Sequence, residues 1–460
     1  MQLKNTSLVS TLLLGVLGVP AFSAQGQIVH PDLKLTPPDG GADQVFGHDV
    51  EIDEGILVVG APGDDALGSE TGAAYVYDAM SGDLIVKLLA DDGASGDLFG
   101  SRVAIADGIV VVGAPSDTHS NIASGSVYLF DATTGAQLAK LVANDASDGD
   151  LFGSSVAIDA GLVVVGAMFD DDQGDNSGSA YVFDANSGSQ LAKLLPDVAA
   201  PASNHAFGVS VAIDAGTIGV GSRSYFVLGE GFTISGVYLF DTQGFDQTDV
   251  LRASNGTASD FFGEDIDIGS GLVAVGAWAR SVFFDQSGAA YVFDASSGEE
   301  MHYIVPDDGH DRDNFGISVG IDNGTLIIGA HQDGDKGFNA GSAYLYDAQD
   351  GNLVEKILAQ DGDAFDVFGT SVAIENELIA IGAIGDQDNG NDSGSVYVIG
   401  SDANACPGDF NDDGSLDFFD ISDYLGAFNS GDLSADFDGD GNLNFFDVSD
   451  FLAAFSAGCP

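Results

Sequence analysis

The chain has 460 residues, with 12 Lys and Arg against 72 Asp and Glu, a formal net charge of −60. A surface this negative repels polyanions, which excludes nucleic acid and anionic membrane as natural partners and leaves cations, proteins and uncharged polysaccharides. The length accommodates one large domain and a small second module.

Met1 to Ala24 reads as a signal peptide. Lys4 gives the positive start, Leu8 to Val19 the apolar run, and Ala21-Phe-Ser-Ala24 the small-residue cleavage pattern. The apolar run is too short to span a bilayer comfortably, and no later run is long enough, so no membrane insertion is expected. The mature chain then begins near Gln25, secreted to the exterior or the cell surface.

A repeat follows. Phe-Gly pairs start at Phe46, Phe99, Phe152, Phe207, Phe262, Phe315 and Phe368. Fourteen residues after each Phe stands a Gly, from Gly60 to Gly382, and a Tyr marks a third beat, from Tyr75 to Tyr397. A fixed period of this length means stacked supersecondary units. Each unit reads as four short strands rich in Val, Ile, Tyr and Phe, separated by turns such as Asp107-Gly108. The spacing predicts an all-β fold, a seven-bladed β-propeller over residues 25–401. A parallel β-helix also repeats strands, but its coils are usually shorter and lack these hairpin turns.

Ile28 to Leu35 has the pattern of a fourth strand without its first three, and the last repeat ends at a third strand, Val396 to Gly400. Residues 28–35 are therefore expected to close the ring as the outer strand of blade seven. Lys34, Lys87, Lys140, Lys193, Arg252 and Lys356 each fall in an outer strand and read as charges that guard exposed edges.

The turns between strands one and two and between three and four are minimal. The longer acidic loops join strands two and three, and one blade to the next, and so share one face, the expected seat of binding. Asp170 to Asp175 and Asp386 to Asp392 are oxygen-rich sets of the kind calcium takes, but their spacing matches no standard loop and they read as solvated turns. Blades four and five break the pattern, placing Arg223, Tyr225 and Phe226 beside Trp278, Arg280, Phe283 and Phe284. These are candidates for stacking a sugar ring or anchoring a partner protein, against the plainer reading of a repacked loop.

From residue 402 the sequence changes character. Two loops fit a twelve-residue calcium template: Asp409, Asn411, Asp413, Ser415, Asp417 and Asp420 in the first, Asp436, Asp438, Asp440, Asn442, Asn444 and Asp447 in the second. Gly414 and Gly441 allow the sharp turn, and two calcium ions are expected. Each loop runs into a helix with an apolar stripe, Phe418, Ile421, Leu425 and Phe428 in one and Phe445, Val448, Leu452 and Phe455 in the other. Cys406 and Cys459 bracket the module, and a disulfide between them suits an exported chain with only two cysteines.

The region from Phe46 to Gly400 resembles the FG-GAP repeat family, on its seven Phe-Gly pairs and on Gly60-Ala-Pro62 and Gly113-Ala-Pro115. The best-known members are integrin α-subunit propellers, so the resemblance implies protein binding in adhesion. Integrin-type blades often carry a calcium loop between their first two strands, where this chain has only a tight turn. Residues 402–460 resemble a type I dockerin of the variety framed by Gly-Cys or Cys-Pro ends, which implies a calcium-dependent plug for a cohesin-like receptor. In that family loop positions 10 and 11 meet the partner, which here are Phe418, Phe419, Phe445 and Phe446.

The function expected is a secreted, non-catalytic binding or adhesion propeller tethered by its C-terminal module, with a protein or polysaccharide as ligand. The alternative is a polysaccharide-active enzyme, a glycosidase or lyase, on the same tether; paired carboxylates suffice for glycoside hydrolysis, but 72 acids make such pairs uninformative. A structural surface-layer component is a third possibility, and it alone predicts self-association.

Overall fold

The computed structural model describes residues 28–29, 31–197, 204–223, 226–227, 231–232, 235–257, 259–282, 286–376, 378–400, 410, 418–430, 435, 448–449, 451–452 and 455. Seven sheets succeed one another around the ring, each built on four antiparallel strands, with a short fifth strand added in parallel to the sixth. The first strand of each lines a central channel and the fourth lies at the rim. In blade two the order is Arg102–Ala106, Ile109–Ala114, Ser126–Asp131 and Gln137–Leu141. The Asp107-Gly108 turn holds both residues at positive φ, 51° and 72°, as a two-residue hairpin requires.

The three beats of the repeat each have a packing cause. Every Phe of a Phe-Gly pair meets the Tyr of its own third strand edge to face, with centroids 5.2–5.5 Å apart. The Gly fourteen residues on receives the next blade: a Cβ at Gly113 would lie 2.3 Å from the carbonyl oxygen of Gly153, and one at Gly382 would lie 2.2 Å from that of Gly47. Apolar residues do not form one central core. They form a cluster between each pair of adjacent blades, and the cluster of Val50, Leu57, Tyr75, Ala380, Val396 and Val398 joins blade one to blade seven. Radial repetition thus distributes burial evenly around the ring.

Leu33–Leu35 supplies the fourth strand of blade seven, pairing antiparallel with Leu33 opposite Val398 and Leu35 opposite Val396. The segment is not one strand from 28 to 35, however. Ile28–Val29 pairs parallel with the outer strand of blade six, Ile28 opposite Lys356. Pro31 separates the two, since it has no N–H for a ladder. Asp32 then starts the second pairing, its N–H donating to the carbonyl of Val398 while its carboxylate accepts from Gly400 N–H.

The C-terminal residues described include one helix, Phe418–Ser430. Its buried contact is Tyr424, stacked on Phe451 at 3.9 Å and flanked by Phe410, Ile421, Phe428 and Phe455. The stripes expected from the sequence are rotated: Leu425 and Leu452 face outward. The larger aromatic neighbours Tyr424 and Phe451 take the inward positions, which bury more apolar surface. Among the described residues no helix is long and apolar enough to cross a membrane.

Candidate functional site

Two sets of charged residues lie on the ring, one at the rim of the loop-bearing face and one in the channel. At the rim, the cross-strand partner of each third-strand Tyr is a Lys in five blades, as with Tyr181 opposite Lys193. That Lys turns into a cage of carboxylates. Lys356 lies 2.7–2.8 Å from Asp308, Asp333 and Asp335; Lys34 lies 2.7 Å from Asp361, Asp386 and Asp388. Lys193 pairs likewise with Asp145, Asp170 and Asp172, Lys87 with Asp39 and Asp64, and Lys140 with Asp92 and Asp117. Each ammonium also sits 4.9–5.2 Å from the centroid of its Tyr ring, and the Tyr hydroxyl donates to one or both carboxylates.

These cages correct two expectations. The lysines do not guard edges: their side chains are only 13–21 % exposed, because neighbouring carboxylates draw them off the rim. Nor are the acidic loops simply solvated turns, since Asp64, Asp117, Asp170, Asp333 and Asp386 are buried and bound to the cages. Desolvation alone would lower the lysine values, but the carboxylates outweigh it and hold Lys34, Lys193 and Lys356 well above the usual range. Desolvation likewise opposes ionisation of Asp39, Asp92, Asp170, Asp333 and Asp361, yet their hydrogen bonds and the lysines hold all five below the ordinary value.

The channel encloses about 890 Å³. Three residues after the Phe, blades three, four, six and seven carry Ser155, Ser210, Ser318 and Ser371. Each hydroxyl donates to the Phe-Gly carbonyl of the next blade, at 2.8–3.0 Å. Blades one and five carry acids at this position and two residues on: Asp49 and Glu51, Asp265 and Asp267. Asp49 accepts from Val103 N–H, Asp265 from Val319 N–H and Asp267 from Ile321 N–H, so these acids also bind the next blade. Burial pushes Asp49 up to about 6, Asp265 to about 7 and Asp267 to about 6, against the pull of those N–H groups. Glu51 is held well above the carboxylate range by burial and by Asp267 and Asp49. His48 is lowered to about 4 by burial and by Arg102, so it is neutral near pH 7.

The expected aromatic and arginine patch is divided. Arg223 lines the channel and pairs with Glu264. Arg280 pairs with Asp260 at the rim, at the blade-five position where the cages hold their buried aspartate, while Tyr303 takes the lysine's place opposite Tyr291. Burial opposes and Asp260 and Tyr303 raise the Arg280 value. Trp278 packs half-buried on Phe261, centroids 5.1 Å apart. Tyr225, Phe283 and Phe284 and the Phe226 side chain lie outside the described residues. So do the signal segment, Cys406, Cys459, the side chains of Phe418, Phe419, Phe445 and Phe446, and the calcium-template residues other than Asp420. Asp420 is buried in the first turn of the helix, where the helix dipole favours negative charge.

Sequence reasoning did not single out the channel acids. The signal was present: at the position where four blades have Ser, Asp49 and Asp265 replace it.

Six segments of the chain, residues 32–77, 82–130, 136–183, 245–293, 299–346 and 352–399, match the FG-GAP repeat. Each runs from the outer strand of one blade through the first three strands of the next, and none of the six covers the inner strands of blade four. None of the curated proteins matches the chain.

Proposed function

This chain belongs to the FG-GAP repeat family, and from that premise we propose that it is a secreted, non-catalytic binding propeller tethered through its C-terminal module. The observation that carries the binding reading is the row of rim cages. They clamp the long loops of one face from both sides, so that face is a rigid platform whose remaining exposed groups are available to a ligand. The ligand is a protein or a polysaccharide.

The tether rests on residues 402–460. Asp409, Asn411, Asp413, Asp417 and Asp420, with the carbonyl of Ser415, would hold one calcium ion, and Asp436, Asp438, Asp440, Asn444 and Asp447, with that of Asn442, a second. Calcium supplies the charge neutralisation that lets such acidic loops close, and a Cys406–Cys459 disulfide would join the module's ends. Phe418, Phe419, Phe445 and Phe446 would then meet a cohesin-like or other surface receptor. Calorimetric titration of the full chain tests this: about two calcium ions should bind, and D413A with D440A should remove both. Unchanged calcium binding in that double variant would sink the tether.

The rival reading, a polysaccharide-active enzyme, draws on the channel acids, because a carboxyl raised to about 7 is suited to proton transfer. Release of reducing ends from a polysaccharide panel, abolished in D265N, would establish it and overturn the binding reading.

A further inference from the structure

Neither the cages nor the channel uses two aromatic rings on the loop-bearing face. Phe338, between the second and third strands of blade six, is 68 % exposed. Phe365, in the connection from blade six to blade seven, is 56 % exposed. Their rings meet edge to face, with centroids 5.4 Å apart and an interplanar angle of 63°. The N–H of Phe365 donates to the carbonyl of Phe338 at 2.9 Å, so the two loops are joined at this point.

Phe365 also holds φ at 77°, in the left-handed region that bulky residues avoid. Three residues before the Phe-Gly pairs of blades two and three, the same position is Gly96 and Gly149, both at positive φ. A phenyl group therefore stands where glycine would be relaxed, and it stays more than half exposed against a second exposed ring, Phe338. Folding gains little from leaving two adjoining phenyl rings in water, and an exposed apolar pair of this kind points to an interaction site.

The surroundings define the ligand's chemistry. Two rings at this angle form a notch, not the flat platform on which a sugar ring stacks. The two loops carry Asp333, Asp335, Asp361, Asp363 and Asp366 against the single cation Lys336. Lys356 and Lys34 are each shared among three carboxylates, so both adjacent cages keep an excess of negative charge. An aromatic face beside carboxylates is how this molecule already holds an ammonium in five blades.

We propose that the Phe338–Phe365 notch docks an arginine side chain on a basic segment of a partner protein. The planar guanidinium lies against the rings, and the neighbouring carboxylates attract its charge. This deepens the reading of the loop-bearing face as a binding platform and rests on it.

The test uses the full chain against immobilised arginine-rich and lysine-rich peptides of equal charge, with a neutral polysaccharide as a third probe. The arginine peptide should bind best, and salt should weaken it. F338A with F365G should weaken it by about tenfold. F365G alone should raise the thermal midpoint, because glycine accepts the positive φ, so lost affinity cannot be ascribed to unfolding. Equal affinity in the double variant and the parent would overturn the proposal, leaving only bulk charge attraction. Phe-dependent binding of the polysaccharide without the arginine peptide would also overturn it while keeping the platform. No binding of any probe would remove both.

Discussion

Carboxylates of the rim cages and carboxylates in the channel are the same groups in opposite electrostatic situations. Asp170 at the rim is buried and ionised below its ordinary range; Asp265 in the channel is raised to about 7. Both accept backbone or hydroxyl hydrogen bonds, and both pay for desolvation. The difference is the supply of cations. Five blades place a lysine directly across from the cage tyrosine, whereas Asp49 and Asp265 both depend on Arg102 for opposing charge. Acids in this chain therefore hold the ring together in two ways, by ion pairing outside and by accepting N–H groups of the next blade inside.

The severest test of the rim is deletion of residues 25–36. It removes the fourth strand of blade seven and takes Lys34 from Asp361, Asp386 and Asp388. The thermal midpoint should fall further than for any point variant, and a midpoint near the parent's would mean that ring closure does not depend on this strand. Lys193→Met is the next step. It leaves Asp145, Asp170 and Asp172 with oxygen atoms within 4.8 Å of one another and no counter-charge. The loss should be about 2–3 kcal/mol, below that of a fully buried pair because two of the three acids reach water. Millimolar calcium should recover part of it, since hard oxygen ligands accept that ion. Full stability in the variant without calcium would show that the cages are ornamental.

The channel should respond to pH in the opposite sense. Asp265, Asp49 and Asp267 have raised values in the fold, so their contribution is complete below pH 4 and is lost as pH rises through about 6 to 7. Rim acids with lowered values lose theirs only as pH falls below the ordinary carboxylate range. Asp265→Asn keeps an acceptor for Val319 N–H and removes the charge. Its midpoint should exceed the parent's by about 2–4 °C at pH 8 and equal it at pH 4. A constant offset across that range would mean that Asp265 is not the titrating group.

The Phe, Gly and Tyr beats were legible because each marks a contact repeated in every blade, and seven copies make a weak local signal strong. Individual strands followed from the same arithmetic. The destination of the lysines was not legible, because strand alternation tells which side a residue leaves from but not where a long side chain ends. Pro31 could have been read as the break between Ile28–Val29 and Leu33–Leu35, though nothing in the sequence says that the first piece joins blade six. In the C-terminal helix the period allowed two adjacent stripes, and only packing decided for Tyr424 over Leu425. Phe365 was hidden for a different reason: its exposure and its positive φ are properties of conformation.

The smallest effect concerns the seam where the last blade meets the first. Ser371 donates to the carbonyl of Gly47 at 2.8 Å, the same bond that Ser210 makes to Gly263 within the ring at 2.9 Å. Both hydroxyls are buried, so removing either leaves one acceptor poorly satisfied, at a cost of about 1 kcal/mol. The seam is also closed by the apolar cluster between blades one and seven and by the Leu33–Leu35 strand, so it has no reason to be weaker than any other blade boundary. S371A and S210A should therefore lower the thermal midpoint equally. A much larger loss for S371A would show that closure at the seam limits the stability of the whole propeller.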